Sequence, residues 1–314
     1  MDCLSKIGSS YIYYDSKRYG CDKIYRDYYV SVIKTILTRH PDLILNIICG
    51  DDCYTFDNEN KTIRVEFNYE HTLVQQGGRD SYGAVQGNIM AEYFPSGASA
   101  ESIPYFVRID RYNILNIGDI IIDYSIPNIV NIRSVDIYND FLKKIVYISP
   151  SIYDLHFKKE NRSIDILTTF IKTDQPRRAE LIRRLQPLPH VNRNDCFEKE
   201  ALQELYKNTK ILINIHQTDH HHTFEELRVL PALECGVIVI SEISPLHTHV
   251  QYHDYIIWET YDGIIDKVKD ILGNYDRYYD MIFNTPKMVK LEELHDANVE
   301  RLSSAVLSAS NIQM

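Results

Sequence analysis

The sequence predicts an α/β protein, and three stretches carry that expectation. The first is residues 207–246, KNTKILINIHQTDHHHTFEELRVLPALECGVIVISEISPL. Residues 211–215 form an apolar run of strand length. His216, Gln217, Asp219 and the three histidines 220–222 follow, and then Leu227, Leu230 and Leu233 recur at helical spacing. Gly236 stops the helix, and residues 237–240 read as a second buried strand. The second stretch, residues 164–185, is a strand, a polar turn and a helix. The third is a helix over residues 25–37, with Val32, Ile33, Ile36 and Leu37 as its apolar members. His40 and Pro41 close it, and the strand 43–49 follows. Helix and buried strand in alternation build an α/β layer. Polar residues gathered where a strand leaves such a sheet mark the usual ligand position.

The chain has 314 residues and a formal net charge of -10. That length supports one large or two medium domains. No basic block is present, so a partner held mainly through its phosphate backbone, such as nucleic acid, is not expected. No run reaches the roughly 18 apolar residues of a membrane span. The first 15 residues lack a signal-peptide core. Cys3, Cys21, Cys49, Cys53, Cys196 and Cys235 form no disulfide framework, and free thiols in a reducing, cytoplasmic setting are the simpler reading.

Along the first half, residues 11–14, 63–67, 105–107 and 117–122 read as strands, the last leading to Asp123, Tyr124 and Ser125. Residues 71–102 are glycine-dense and weakly periodic, which predicts a long surface excursion. His71, Arg79, Asp80 and Tyr82 are its most reactive members. A short helix over 135–143 and a strand over 144–148 end the half. The polar segment 149–161 sets a domain boundary, giving an N-terminal domain over 1–150, a second over 158–290 and a terminal helix over 291–314.

In the second half, residues 164–167 are the strand, Pro176 suits a first helical turn, and the helix runs on to Leu185. The turn has neither GxGxxG nor GxxxxGK[ST]. It carries Thr168, Thr169, Lys172, Arg177 and Arg178 instead, hydroxyls and cations able to hold a diphosphate. Residues 186–196 read as a polar connection and 197–206 as a helix. Thr223 and Glu226 have the spacing of a capping box. The histidine loop does not match a zinc site, because adjacent histidines cannot all face one ion without strain. His216 and one of His220–His222 suit hydrogen bonds to phosphate or sugar, or else strand-end packing. Trp258 is core or lines a cleft.

The stretch 210–242 resembles the C-terminal domain of two-domain nucleotide-sugar glycosyltransferases. It is most similar to the family-1-like, spore-maturation-protein-like transferases and to proteins of large DNA viruses. Arg228 matches the family's arginine, and Leu233-Glu234-Cys235-Gly236 its small-Cys-Gly step. Residues 165–178 resemble the strand and turn that open that domain. The similarity covers about 120 residues of the second half. It implies the GT-B fold, two Rossmann-like domains facing across a cleft, with the first on the acceptor side and the second binding the donor. One departure stands out: the glutamate that retaining members carry five residues before the glycine is Pro231 here. Glu226 and Glu234 are eight apart, like the family's acidic pair, but in shifted register.

The resemblance implies transfer of a sugar from a nucleoside diphosphate to a glycan or other hydroxyl acceptor, with no cofactor beyond the nucleotide sugar. Negative charge grows on the leaving phosphate, and cations and helix N-termini stabilise it. Arg228, Glu226, His216 and Asp80 are the catalytic candidates. Thr168, Thr169, Lys172, Arg177, Arg178, Asn214, His220, His222, Thr223 and Glu234 are the donor-binding ones. Asp51, His71, Asp80 and Asp110 supply candidate bases for an inverting reaction. No Asp-x-Asp triplet occurs, so no metal is expected. A non-catalytic nucleotide- or glycan-binding protein and a nucleotide-sugar epimerase are the alternative readings. Oligomeric state is not specified by the sequence.

Overall fold

The computed structural model describes residues 4–14, 23–50, 54–69, 74–75, 93–100, 103–108, 114–133 and 136–310. The chain opens with an antiparallel hairpin, β1 (Leu4–Ile7) and β2 (Ser10–Tyr13). Helix α1 (Lys23–Arg39) leads to β3 (Leu45–Cys49) and β4 (Lys61–Asn68). A small antiparallel sheet follows, with β5 (Val74–Gln75), β6 (Tyr93–Ala100) and β7 (Ile103–Arg108) in the order β5-β7-β6. Then come α2 (Ile114–Ile117), β8 (Ile120–Asp123), α3 (Ile126–Arg133), a 3-10 stretch Asp136–Lys144 and β9 (Ile145–Tyr147). Strands β2, β3, β4, β8 and β9 pair in parallel in that order, with β1 antiparallel at the edge.

The second half holds β10 (Ile164–Thr168), α4 (Pro176–Leu185), β11 (His190–Asn192), α5 (Lys199–Lys207) and β12 (Thr209–Asn214). It continues through α6 (Glu226–Glu234), β13 (Ile238–Glu242), β14 (Ile256–Glu259), α7 (Ile264–Gly273), α8 (Tyr275–Ile282) and α9 (Thr285–Ser310). Its sheet is wholly parallel, in the order β11-β10-β12-β13-β14. Numbered by chain order this is 2-1-3-4-5, a doubly wound sheet whose order reverses between β10 and β12. The fold is α/β, as expected. Strands β12 and β13 are covered on both faces, which is why they read as continuous apolar runs. No helix among the described residues is long and apolar enough to cross a membrane.

Several local expectations need correction. The excursion over 71–102 contains β5 and β6, paired to β7. The connection 186–196 contains β11, an edge strand too short for its alternation to show. Within the helix expected over 135–143, the described residues from Asp136 on are 3-10 and not α-helical. The capping box does not form: Glu225 is the N-cap of α6, without a side-chain cap bond, and Thr223 lies before it.

Two features fix the frame around the second sheet. Arg162 is buried and spends its donors on carbonyls: Nε on Lys158 (2.8 Å), Nη1 on Tyr206 (3.1 Å) and Thr209 (2.6 Å), and Nη2 on Cys235 (2.8 Å). It ties the start of β10 to the start of β12 and the turn before β13. Gly236 in that turn has φ +70, and a Cβ there would lie 2.8 Å from Arg162 Nη2, so both conformation and space call for glycine.

The halves meet along α6 and α9. Helix α9 returns to pack on α1, β4, β8 and β9. Its buried Asn298 donates from Nδ2 to the Tyr28 hydroxyl (2.8 Å) and the Ser149 carbonyl (2.9 Å), and accepts from Ser149 N (3.0 Å). In α6, Pro231 has no N–H to offer the carbonyl four residues back, that of Leu227. The Tyr25 hydroxyl, on α1 of the first half, donates to that carbonyl instead. Tyr25→Phe therefore leaves a part-buried acceptor without its protein partner and is expected to cost about 1 kcal/mol. In a Pro231→Ala background the restored N–H competes for the same carbonyl, and the cost of Tyr25→Phe should shrink. Urea unfolding of the four chains of this double-mutant cycle measures the coupling; strictly additive costs would refute the link.

Candidate functional site

The reversal point of the second sheet places the ends of β10 and β12 side by side, with the N-termini of α4 and α6 above them. Ligands bind outside the carboxyl ends of strands at such points, because the flanking connections run to opposite faces and leave a crevice.

At the end of β10, Thr168 is buried, and its hydroxyl lies 2.8 Å from His190 Nε2 and donates to Asn192 Oδ1 (2.8 Å). Asn192 also accepts from Phe170 N (3.0 Å). Thr168 therefore joins β10 to β11. The next hydroxyl, Thr169 Oγ1, is buried with no hydrogen-bond partner. Lys172 lies half-buried in the loop that follows.

Helix α4 begins at Pro176, so its first turn exposes backbone donors and the positive end of its dipole. The two arginines of that turn have different fates. Arg177 donates from Nη1 to Asp219 Oδ1 (2.5 Å) and from Nη2 to Glu242 Oε1 (2.5 Å). Its guanidinium lies 4.3 Å from the Tyr261 ring, whose hydroxyl donates to the Arg177 carbonyl (2.7 Å). Arg177 is thereby committed to protein groups, and it holds together the loops after β12, β13 and β14. Arg178 is buried, 5% exposed, with its guanidinium 4.9 Å from the Phe170 ring. Among the described residues no carboxylate forms an ion pair with it, and its Nε has no hydrogen-bond partner. Burial and then the charge of Arg228 lower its pKa to about 10, while Glu225 opposes the shift. Two guanidinium groups thus lie within electrostatic reach of each other at the reversal point.

At the end of β12, Asn214 is buried; its Nδ2 donates to Ser241 Oγ (3.0 Å), and its Oδ1 accepts from Arg228 Nη1 (3.1 Å). Arg228 belongs to the first turn of α6, and Asn214 aims it across the reversal point.

The histidine loop forms a separate network. The His216 amide donates to Glu242 Oε2 (2.9 Å), and its Nε2 lies 2.9 Å from Ser244 Oγ. The His216 and His222 rings stack at 5.0 Å. Burial first, then His222 and Arg177, hold His216 well below its ordinary pKa, so the ring is neutral at pH 7. His222 is also lowered, chiefly by burial, and its Nε2 lies 2.8 Å from the Asp219 carbonyl. His220 is exposed, its amide bonded to Thr218 Oγ1 (3.2 Å). Thr223 is buried ahead of α6. Among the described residues no group of three or more His, Cys, Asp or Glu is placed to hold a metal ion.

The two glutamates of α6 lie elsewhere. Glu226 is fully buried in the seam between the halves, where Tyr252 Oη donates to its Oε2 (2.9 Å). Glu234 is at the far end of the nine-residue helix, about 12 Å away at 1.5 Å per residue. It accepts from the amides of Ile152 (3.1 Å) and Tyr153 (2.9 Å) in the crossing segment. The structure does not bring Glu234 to the crevice. Asp51, His71, Asp80 and Asp110 lie outside the described residues. The crevice therefore gathers Thr169, Arg178, Asn214 and Arg228, with Phe170 and Glu225 as neighbours. Sequence reading passed over Glu242, Ser244, Tyr252 and Asn192. Glu242 ends an apolar strand, and that placement was the available signal.

No protein-family model matches the chain. Two uncharacterized proteins of Acanthamoeba polyphaga mimivirus are similar to it. One is 27% identical over 217 residues, covering 65% of this chain and 74% of the relative. The other is 26% identical over 215 residues, covering 65% of this chain and 66% of the relative. These relatives agree with the expected kinship to proteins of large DNA viruses. Solved structures that align with the fold include TarM, at TM-score 0.45 and 8% identity over 89% of this chain and 58% of TarM. An α1,3-fucosyltransferase with GDP-fucose aligns at TM-score 0.45 and 11% identity, over 90% of this chain and 88% of that one. A structure of accessory secretory proteins 1, 2 and 3 of Streptococcus pneumoniae aligns at 0.46 and 9%, over 92% of this chain and 58% of that one.

A buried guanidinium beside a second one opposes folding when nothing neutralises it. Arg178→Met keeps the packing on Phe170 and removes the charge. The unliganded variant is expected to be more stable, by about 1–4 kcal/mol. A thermal melt without added anions checks this, and a lower Tm than wild type would show that the guanidinium is satisfied within the chain.

Proposed function

We propose that the protein is a metal-independent glycosyltransferase of GT-B type, binding a nucleoside-diphosphate sugar at the reversal point of its second sheet. The observation that carries this reading is Arg178, buried with no carboxylate ion pair among the described residues and near the charge of Arg228, with Glu225 the acid that acts on it from a distance. Such a pair calls for an anion. A diphosphate spans two guanidinium groups and meets the α4 N-terminus at once. Thr169 Oγ1 offers a further donor. When the sugar leaves, charge grows on the outer phosphate, and Arg178 and Arg228 lie where that charge develops. In this reading residues 158–290 bind the donor and residues 1–150 present the acceptor hydroxyl, a glycan or glycoconjugate. In this reading the reaction takes place in a host cytoplasm, a setting that the viral origin of both relatives supports.

A binding-only reading has one observation in its favour: Pro231 stands where retaining enzymes of the resembling family carry their ribose-binding glutamate. A thermal-shift screen of UDP, GDP, ADP and their sugars, followed by donor hydrolysis with the best of them, separates the two. Stabilisation by a nucleoside diphosphate with no hydrolysis or transfer favours the binding module. No stabilisation by any of them defeats both.

For the enzyme, Arg228→Ala is expected to lower kcat/KM by about 10²–10³-fold, the scale for losing a donor to developing charge. Circular dichroism should be unchanged. A loss within about twofold would remove Arg228 from the mechanism. Activity should also survive EDTA, because cationic side chains and not a metal meet the leaving group; loss restored by manganese or magnesium would refute that assignment.

A further inference from the structure

The first turn of α6 points two ways. Arg228 faces the crevice, and Glu226, two residues earlier, faces the first half, since side chains two apart on a helix diverge. Among the described residues, the side chains that act on the Glu226 carboxyl are polar, and none is a cation. The Ser125 hydroxyl, at the start of α3, faces its carboxyl. Asp123, at the end of β8, is the charged group that acts on it. Tyr252 donates to Oε2 (2.9 Å), while Oε1 is buried with no partner. Tyr147 on β9 faces it too. The nearest cation from α9, Arg301, lies 5.2 Å from the Tyr147 ring and bonds Asn298 (3.5 Å), pairing with neither carboxyl. Asp123 is itself saturated: Oδ1 accepts from Ser125 N (2.9 Å), and Oδ2 from Asn68 Nδ2 (2.7 Å) and Asn128 Nδ2 (2.5 Å).

We propose that Glu226 is a positioning residue that carries a proton in the seam, and that this neutral acid docks the first turn of α6 on the first half and so sets Arg228 at the anion site. The proposal rests on the anion-site reading given above. Two buried carboxylates with no cation between them cannot both ionise cheaply. Asp123 receives three donors and keeps the charge. Glu226 receives fewer and keeps the proton, which removes the charge that its unmatched Oε1 would otherwise carry unsolvated. Ionisation would place a second negative charge beside Asp123 and push the first turn of α6, with Arg228 on it, off the first half. The Tyr25 hydroxyl holds the same turn through Leu227, so the turn has two anchors, one of them proton-dependent.

Burial pushes Glu226 up to about 8 and Asp123 to about 6. The folded value of Glu226 lies above its ordinary 4.5. The docking contribution is therefore complete below about 4.5 and is lost as pH rises through about 8.

The test is titration calorimetry of the full chain with inorganic pyrophosphate between pH 6.5 and 9.5, wild type beside Glu226→Gln. If only the neutral acid is competent, wild-type affinity falls about tenfold by pH 9. Glu226→Gln, uncharged throughout, should keep its pH 7 affinity at pH 9. Ionisation of pyrophosphate and of Arg178 is common to both chains, so the ratio isolates Glu226. Parallel pH profiles in the two chains would overturn the proposal. So would a Gln variant that melts normally yet binds weakly at every pH, because a carboxylate would then be required. No binding by either chain at any pH would strike the anion site itself, a distinguishable failure. Tyr252→Phe gives a second readout independent of the Gln variant's folding. Removing a donor to the carboxylate should move the wild-type midpoint to higher pH, and an unmoved midpoint also counts against the assignment.

Discussion

The structure depends on a carbonyl that its own helix cannot satisfy. Pro231 inside α6 deprives the Leu227 carbonyl of its helical partner, and Tyr25 from the other half takes the place. Proline in a helix interior normally costs about 3 kcal/mol. Here that cost is offset by an inter-half hydrogen bond that an uninterrupted helix would not accept. The result fixes the first turn of α6 relative to α1, and with it Arg228 relative to the first half. A position where resembling transferases carry a glutamate for ribose thus serves the architecture.

The crevice is built at the expense of stability. Arg162 and Arg178 make the contrast plain, since both are buried arginines of the second half. Arg162 gives its donors to four carbonyls and joins three elements. Arg178 has a ring beneath it, a like charge nearby and no ion pair among the described residues. A buried charge that is satisfied strengthens a frame, whereas one that is not opposes folding. Arg177 lies between these cases. It sits one residue from the unpaired arginine, yet two carboxylates and a tyrosine hold it, so it keeps the rim of the crevice in place.

Much of the second half was legible in the sequence because its strands are buried on both faces. The apolar runs of β10, β12 and β13 announce themselves, and Pro176 and Gly236 punctuate the helices between them. Asn214, Arg178 and Arg228 were visible as polar residues at strand ends and helix starts. What was not legible depends on long-range pairing. Nothing local distinguishes Arg177 from Arg178, and the difference comes from Asp219 and Glu242, 42 and 65 residues away. Strand β11 has three residues and no apolar alternation. The capping spacing of Thr223 and Glu226 lost to burial, because Glu226 turns to Tyr252 and Ser125 instead of its own helix. One long-range contact did leave a trace: a proline four residues after Leu227 says that this carbonyl must find a partner elsewhere.

Helix α6 can be seen as a short rod held at both ends by buried acids. Glu226 at its start faces Ser125 and Asp123, and Glu234 at its end accepts the amides of Ile152 and Tyr153. Burial pushes both carboxyls up to about 8. Both shifts are upward, so both contributions are present in mild acid and fade as pH rises through about 8. The two ends differ in what they hold. Glu234 fastens the C-terminal end of the rod to the segment that crosses between the halves. Glu226 fastens the end that carries Arg228. An acid at the C-terminal end affects how firmly the helix is seated; an acid at the first turn affects where its arginine points. With Glu226 and Arg228 on one turn, the proposed proton-dependent contact would couple the seam to the proposed anion site through a single turn of helix, without any longer path through the protein.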